Sequence, residues 1–379
     1  MIALAAAAVF DGHARLGRRV VVIDGARIVA VAAQAPPGVA VESLGEDLVL
    51  APGFIDLQVN GGGGVLFNDA PDVEGLRRIA AAHARLGTTT LFPTLISGPP
   101  GLRRIAMESV RAALSQDLPG ICGLHLEGPF LAPARRGIHP AAHLTTPTDA
   151  ELAELRAPFP APLLLTLAPE IVPPDAIAAL AGAGRRVFLG HSAATLPQAV
   201  AALQAGAAGF THLFNAMSQL AARAPGMVGA ALDSAQAAAG IIVDGRHVDP
   251  VAIRLAFAML GPARLFLVSD AMPTVGTAGT AGFMLNGQPI RLADGRLTDA
   301  AGTLAGAHLS MAEAVRNAVH LAGLPPDAAL RMATATPAEC AGLPDRGRVA
   351  AGERADLVAL DRDLRVRAVW QGGKRLVPG

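Results

Sequence analysis

Hydrophobic and polar positions change rhythm near residue 52 and again near residue 343. Before the first point, short apolar runs alternate with turns: Arg18-Arg-Val-Val-Val-Ile23, then Asp24-Gly25, then Arg27-Ile-Val-Ala-Val31. An Asp-Gly pair between apolar runs is a hairpin signal, because both residues tolerate the left-handed backbone of a tight turn. The style returns in Asp356-Leu-Val-Ala-Leu360 and Val366-Arg-Ala-Val-Trp370, so residues 1–52 and 343–379 are expected to pair into one small β-sandwich domain. Residues 53–342 instead alternate short apolar strands with Ala- and Arg-rich helical segments, the pattern of βα units around a parallel sheet. Eight strands are predicted: 53–60, 88–94, 121–127, 163–169, 186–191, 209–213, 239–244 and 265–270. Helices are predicted over 73–86, 102–114, 176–182 and 250–260, with a hairpin over 283–299 and a closing helix over 310–321 capped by Ser310 and Glu313. Eight such strands close a (β/α)₈ barrel of TIM type, an α/β fold.

Four of these strands end on residues that carry chemistry. Ile121-Cys-Gly-Leu124 runs into His125-Leu-Glu127, after which Gly128-Pro129 stops the strand; the runs starting at Val187, Gly209 and Leu265 end in His191, His212 and Asp270. In a barrel of this kind all strand tips meet on one face, so these side chains converge although they lie far apart in sequence. Two imidazoles and a carboxylate are ligands for zinc or another divalent first-row ion, and a catalytic site keeps one position open for water. Glu127, His191 and His212 are therefore the expected metal ligands. Each histidine taken alone reads as an ordinary core residue; the shared placement at strand tips is what favours the metal. Asp270 fits general acid–base work, taking a proton from an activated water and returning it to a leaving amine; its plainer reading is a helix cap. His125, flanked by leucines, is expected in the core or in support of Glu127.

Composition narrows the partners. Among 379 residues, 31 basic and 31 acidic groups cancel, and no dense basic patch with aromatic neighbours points to nucleic acid. No apolar run reaches the roughly 18–20 residues of a membrane span, and the apolar opening lacks the positive leader of a signal peptide. Two cysteines, Cys122 and Cys340, cannot make a disulfide framework and suit a reducing cytoplasm. The sole lysine, Lys374, stands near the C-terminus, which excludes Schiff-base chemistry, a phosphate-loop lysine and a carboxylated lysine bridging two metals. Gly61 to Gly64 lacks the pattern of a nucleotide loop and is expected to be a flexible loop over the site.

Several stretches in one order resemble the N-acetylglucosamine-6-phosphate deacetylase family of the amidohydrolase superfamily: Pro52-Gly-Phe-Ile-Asp-Leu-Gln-Val-Asn-Gly61, His125-Leu-Glu-Gly-Pro-Phe130, Gly190-His-Ser-Ala-Ala-Thr195, Thr211-His-Leu-Phe-Asn-Ala-Met217, Asp244-Gly-Arg-His-Val248 and Val268-Ser-Asp-Ala-Met272. The resemblance implies hydrolysis of the acetamide of N-acetyl-D-glucosamine 6-phosphate, with the roles above for Glu127, His191, His212 and Asp270. It also implies that His139 polarises the acetyl carbonyl, that Asn215 and Ala216 contact the sugar, and that Arg223 and His247 bind the phosphate from the neighbouring subunit of a homodimer. Arg135 and Arg136 are read as surface charges. Many amidohydrolases carry His-x-His on the first strand to hold a second metal; here Gln58 and Asn60 stand there, so one divalent ion per chain is expected, zinc first and iron(II), cobalt(II) or manganese(II) next. The rival expectations are an amidohydrolase acting on a cyclic or aryl amide and a non-catalytic interaction protein on the same barrel.

Overall fold

The computed structural model describes residues 1–376; positions 377–379 of the expected C-terminal β segment lie outside the described residues. Eight parallel strands follow one another around a barrel: β1 (Phe54–Val59), β2 (Thr88–Ile96), β3 (Leu124–Glu127), β4 (Leu163–Leu167), β5 (Arg186–Leu189), β6 (Gly209–Phe210), β7 (Ala238–Ile241) and β8 (Leu265–Leu267). Their side chains are buried almost throughout, since the barrel interior takes one face and the surrounding helices the other. All eight expected strands are present. Those carrying His191, His212 and Asp270 end earlier than predicted, because these residues leave the extended conformation.

The expected helices form as Val73–Arg85, Leu102–Ser115, Pro174–Gly182 and Pro250–Leu260. The closing helix, Met311–His320, has the anticipated cap: the Glu313 backbone N–H donates to Ser310 Oγ at 3.3 Å and Ser310 N–H donates to Glu313 Oε2 at 2.9 Å. The insertion after β8 is larger than a hairpin. Three antiparallel strands, Gly282–Leu285, Gln288–Ala293 and Arg296–Thr298, turn at Asn286-Gly287 and Asp294-Gly295, all four residues having positive φ.

The chain ends form two sheets. One contains Ile2–Ala6, Arg19–Asp24, Arg27–Ala32 and Val41–Ser43; in the other, Val49–Pro52 pairs antiparallel with Leu357–Leu360, joining the N-terminal segment to the C-terminal one. Leu4, Val21, Leu50, Leu357 and Trp370 pack in a cluster separate from the main core. Among the described residues no helix is long and apolar enough to cross a membrane.

Trp370 is fully buried in this cluster. Trp370→Ala should destabilise the protein by about 3–5 kcal/mol, the range for emptying a buried aromatic site; urea denaturation checks it, and a loss under ~1 kcal/mol would mean that the two ends do not share one core.

Candidate functional site

Three potential ligand atoms meet at the mouth of the barrel. Glu127 Oε1 lies 3.1 Å from His191 Nε2 and 3.1 Å from His212 Nε2, and the two nitrogens are 3.0 Å apart. All three side chains are buried. His191 Nδ1 lies 2.9 Å from the Arg135 carbonyl, to which it donates its proton, so in the neutral ring the Nε2 lone pair faces the cluster. Two imidazole nitrogens and a carboxylate oxygen this close need either shared protons or a cation between them. Ligands 2.0–2.1 Å from one small tetrahedral ion would stand about 3.3 Å apart, close to these spacings. The donor set and its geometry therefore fit a divalent metal. Burial opposes charge on Glu127, yet the two bonded imidazoles hold its carboxyl well below the usual carboxylate range.

His139 also lies near: Glu127, His139 and His191 offer ligand atoms within 4.8 Å of one another. The tighter triangle with His212 is the better ligand set, because His139 is committed elsewhere. Its Nδ1 accepts from the Ser97 backbone N–H at 3.3 Å and lies 2.9 Å from Ser97 Oγ, so the neutral ring carries its proton on Nε2. Burial and the neighbouring His191 push His139 down to about 3, which keeps it neutral. A neutral N–H donor suits a carbonyl oxygen better than a metal.

Asp270 faces the same space. Its Oδ1 accepts from Asn60 Nδ2 at 2.6 Å and from Gln58 Nε2 at 3.2 Å, and Gln58 Nε2 also reaches Glu127 Oε1 at 3.1 Å. The two first-strand amides thus donate to carboxylates. Burial and the negative Glu127 raise the Asp270 carboxyl to about 6, within reach of proton transfer near neutrality.

Backbone strain marks the same residues. His191, His212 and Asp270 have φ of 47°, 31° and 49°, and Phe214 and Ala216 follow at 76° and 48°. Left-handed backbone costs a non-glycine residue about 1–2 kcal/mol and persists only where the surroundings enforce it. At a strand end it turns the chain sharply while the side chain stays over the barrel mouth.

Glu127, His139, His191, His212, His247 and Asp270 line one cavity of about 500 Å³, together with Asn215 and Ala216. His247 lies in the cavity of its own chain. The turn after β7 places it there: Asp244 Oδ1 accepts from the backbone N–H of Arg246 and of His247, both at 2.8 Å, and Asp244 Oδ2 holds His247 Nδ1 at 2.6 Å. Arg223 is exposed and does not line this cavity. The loop of Gly61 to Gly64 is not free: the backbone N–H groups of Gly61, Gly63 and Gly64 donate to the carbonyls of Ala271, Val275 and Pro273, and His83 Nε2 holds the Gly61 carbonyl at 2.9 Å. His125 sits below the cluster between the hydroxyls of Thr94 and Thr166, at 3.3 and 2.7 Å.

Sequence reasoning missed three participants: Ser97, the Arg135 carbonyl and the Leu304 to Gly306 wall of the cavity. A serine past a strand end and a backbone carbonyl carry no spacing signal, and the wall follows an insertion whose position no periodicity fixes.

Residues 49–376 match the model of the amidohydrolase family. The chain is 45% identical over 329 residues to an N-acetylgalactosamine-6-phosphate deacetylase of Shewanella sp. (strain ANA-3), covering 86% of this chain and 83% of that protein. It is 38% identical over 341 residues to the Homo sapiens N-acetylglucosamine-6-phosphate deacetylase, covering 86% and 83%. The crystal structure of the Pasteurella multocida N-acetylglucosamine-6-phosphate deacetylase superposes with a TM-score of 0.95 at 35% identity over 99% of both chains. A mutant of the Mycobacterium smegmatis enzyme in complex with N-acetyl-D-glucosamine-6-phosphate gives 0.90 at 35% identity over 99% and 98%.

Gly128 has φ of 90°, and a Cβ there would lie 2.3 Å from Ser97 Oγ. Gly128→Ala should cost at least about 1–2 kcal/mol from the backbone alone and should also displace the serine that orients His139. Chemical denaturation gives the first effect; unchanged stability would contradict the strained geometry.

Proposed function

The chain belongs to the amidohydrolase family, and we propose that within it this protein hydrolyses the acetamide of N-acetyl-D-glucosamine 6-phosphate, releasing acetate and D-glucosamine 6-phosphate in amino-sugar breakdown. The observation that carries this reading is the triangle of Glu127, His191 and His212 with Asp270 beside it. The relatives' names supply the substrate class, and His247, held in the cavity by Asp244, offers a ring N–H that suits a phosphate.

Glu127, His191 and His212 would hold one divalent ion per chain. Zinc is the first candidate, with iron(II), cobalt(II) and manganese(II) compatible with the same donors. When bound, such an ion polarises a carbonyl and lowers the pKa of water. Gln58 and Asn60 support a single ion, since their amide nitrogens are committed to Glu127 and Asp270. His139 donates its Nε2 proton to the acetyl oxygen as negative charge develops there. Asp270 accepts a proton from the attacking water and returns it to the departing amine nitrogen. Asn215 and Ala216 contact the sugar, and His247 holds the phosphate. Arg223, exposed on its own chain, completes the phosphate site of a neighbouring subunit in a homodimer. The two free cysteines support a cytoplasmic setting.

A neutral cyclic or aryl amide would leave His247 and Arg223 without an anion, and a non-catalytic protein would have no use for Asp270 at this position. A second substrate has a specific observation in its favour: the 45% identity to an N-acetylgalactosamine-6-phosphate deacetylase makes the C4 epimer a candidate. The ratio of kcat/KM for the two sugar phosphates decides between them.

Asp270→Asn should keep its metal and lose roughly 10²-fold or more of kcat. His247→Ala should weaken kcat/KM on the phosphorylated sugar by about 1.5–3 kcal/mol and leave the unphosphorylated sugar little changed. Elemental analysis with steady-state kinetics checks both, and a fully metallated Asp270→Asn protein with near-normal turnover would remove Asp270 from the mechanism.

A further inference from the structure

The barrel is not closed by an ordinary ladder. β8 pairs with β7 along its length, but on its other side it meets β1 only beyond its end, through a bridge between Val59 and Ala271 and the N–H groups of Asn60 and Gly61 donating to the Ala271 carbonyl, both at 2.9 Å. Below that point a side chain fills the seam. Asp56 Oδ1 accepts from the backbone N–H of Gln58 on its own strand and from that of Ser269 across the seam, both at 3.2 Å. Asp56 Oδ2 bonds Ser269 Oγ, and that hydroxyl accepts from the Ala271 N–H at 3.1 Å. One fully buried carboxylate thus takes donors that sheet carbonyls would otherwise take; it holds Ser269, before Asp270, and only through that serine's hydroxyl does it reach Ala271, after it.

We infer that Asp56 is a positioning residue: by clamping Ser269 to the first strand it keeps Asp270 in its left-handed conformation, aimed at the site where water is activated. The inference rests on Asp270 being the proton acceptor proposed above. Asp56 is not among the residues lining the cavity, so it acts only through its neighbours. Asp270 is one residue past the clamp, with φ of 49°, and its carbonyl accepts from the Ala307 N–H at 2.8 Å. Without the clamp, what remains to Ser269 on the β1 side among the described residues is the long bond from its Oγ to the Gln58 carbonyl at 3.4 Å, and the strained residue is then free to relax to an ordinary extended backbone. That rotation takes its carboxylate away from Asn60 and Gln58. Full charge is not required of the clamp, since burial pushes the Asp56 carboxyl up to about 7. An amide oxygen accepts from the same two backbone N–H groups.

The test compares full-length Asp56→Ala, Asp56→Asn, Ser269→Ala and Asp270→Asn, each loaded with zinc and analysed for metal, in kcat and KM for acetate release. Asp56→Ala should lose on the order of 10- to 100-fold in kcat, the usual scale for groups supporting a metal-site residue, with KM and metal content unchanged. Asp56→Asn should recover most of that loss. A crystal structure of Asp56→Ala should show residue 270 outside the left-handed region. Wild-type kcat per metallated molecule in Asp56→Ala, or an asparagine variant as slow as the alanine one, overturns the inference. If Asp56→Ala does not fold, Ser269→Ala decides: a lower kcat at constant KM supports the clamp, and wild-type kcat refutes it. Asp270→Asn separates the two readings, since wild-type turnover there sinks the role of Asp270 itself, whatever Asp56 does.

Discussion

The meeting of Glu127 Oε1 with the Nε2 atoms of His191 and His212 is the constraint on which the rest of the site depends. Three electron-rich atoms about 3 Å apart must share protons or surround a cation, and the fold holds them at spacings that a small divalent ion would satisfy. The barrel provides the force. Each side chain leaves from the end of a different strand, and a core of continuously buried strands fixes those ends. The left-handed backbone at His191, His212 and Asp270 is the local cost of aiming them at one point.

Around that point, polar side chains do what sheet carbonyls do elsewhere. Gln58 and Asn60, at the tip of the first strand, donate to Glu127 and Asp270. Two rungs lower, Asp56 carries the seam between the first and last strands. Ser97 fixes the tautomer of His139. The residues that touch substrate in the proposed reaction are thus oriented by a buried layer of amides, hydroxyls and one further carboxylate.

The eight-strand pattern was legible because each strand is a short apolar run punctuated by Gly, Pro or a polar tip, and the spacing of βα units leaves few other closures. The cluster was legible for the same reason, since a charged or imidazole residue at the end of an apolar run stands out. The placement of His247 was not legible: nothing in its local sequence shows which cavity the side chain reaches, and the Asp244 turn that holds it is visible only in three dimensions. Gly61 to Gly64 read as flexible because glycine permits flexibility; the bonds to the segment after Asp270 connect residues some 210 positions apart, and no local pattern carries that information.

The most direct test of the central claim is to strip the protein of metal, titrate it with zinc and follow acetate release from N-acetyl-D-glucosamine 6-phosphate. The account predicts that activity is absent without metal, rises linearly and breaks at one ion per chain. Full activity in the metal-free protein, or a break at two ions per chain, would contradict it.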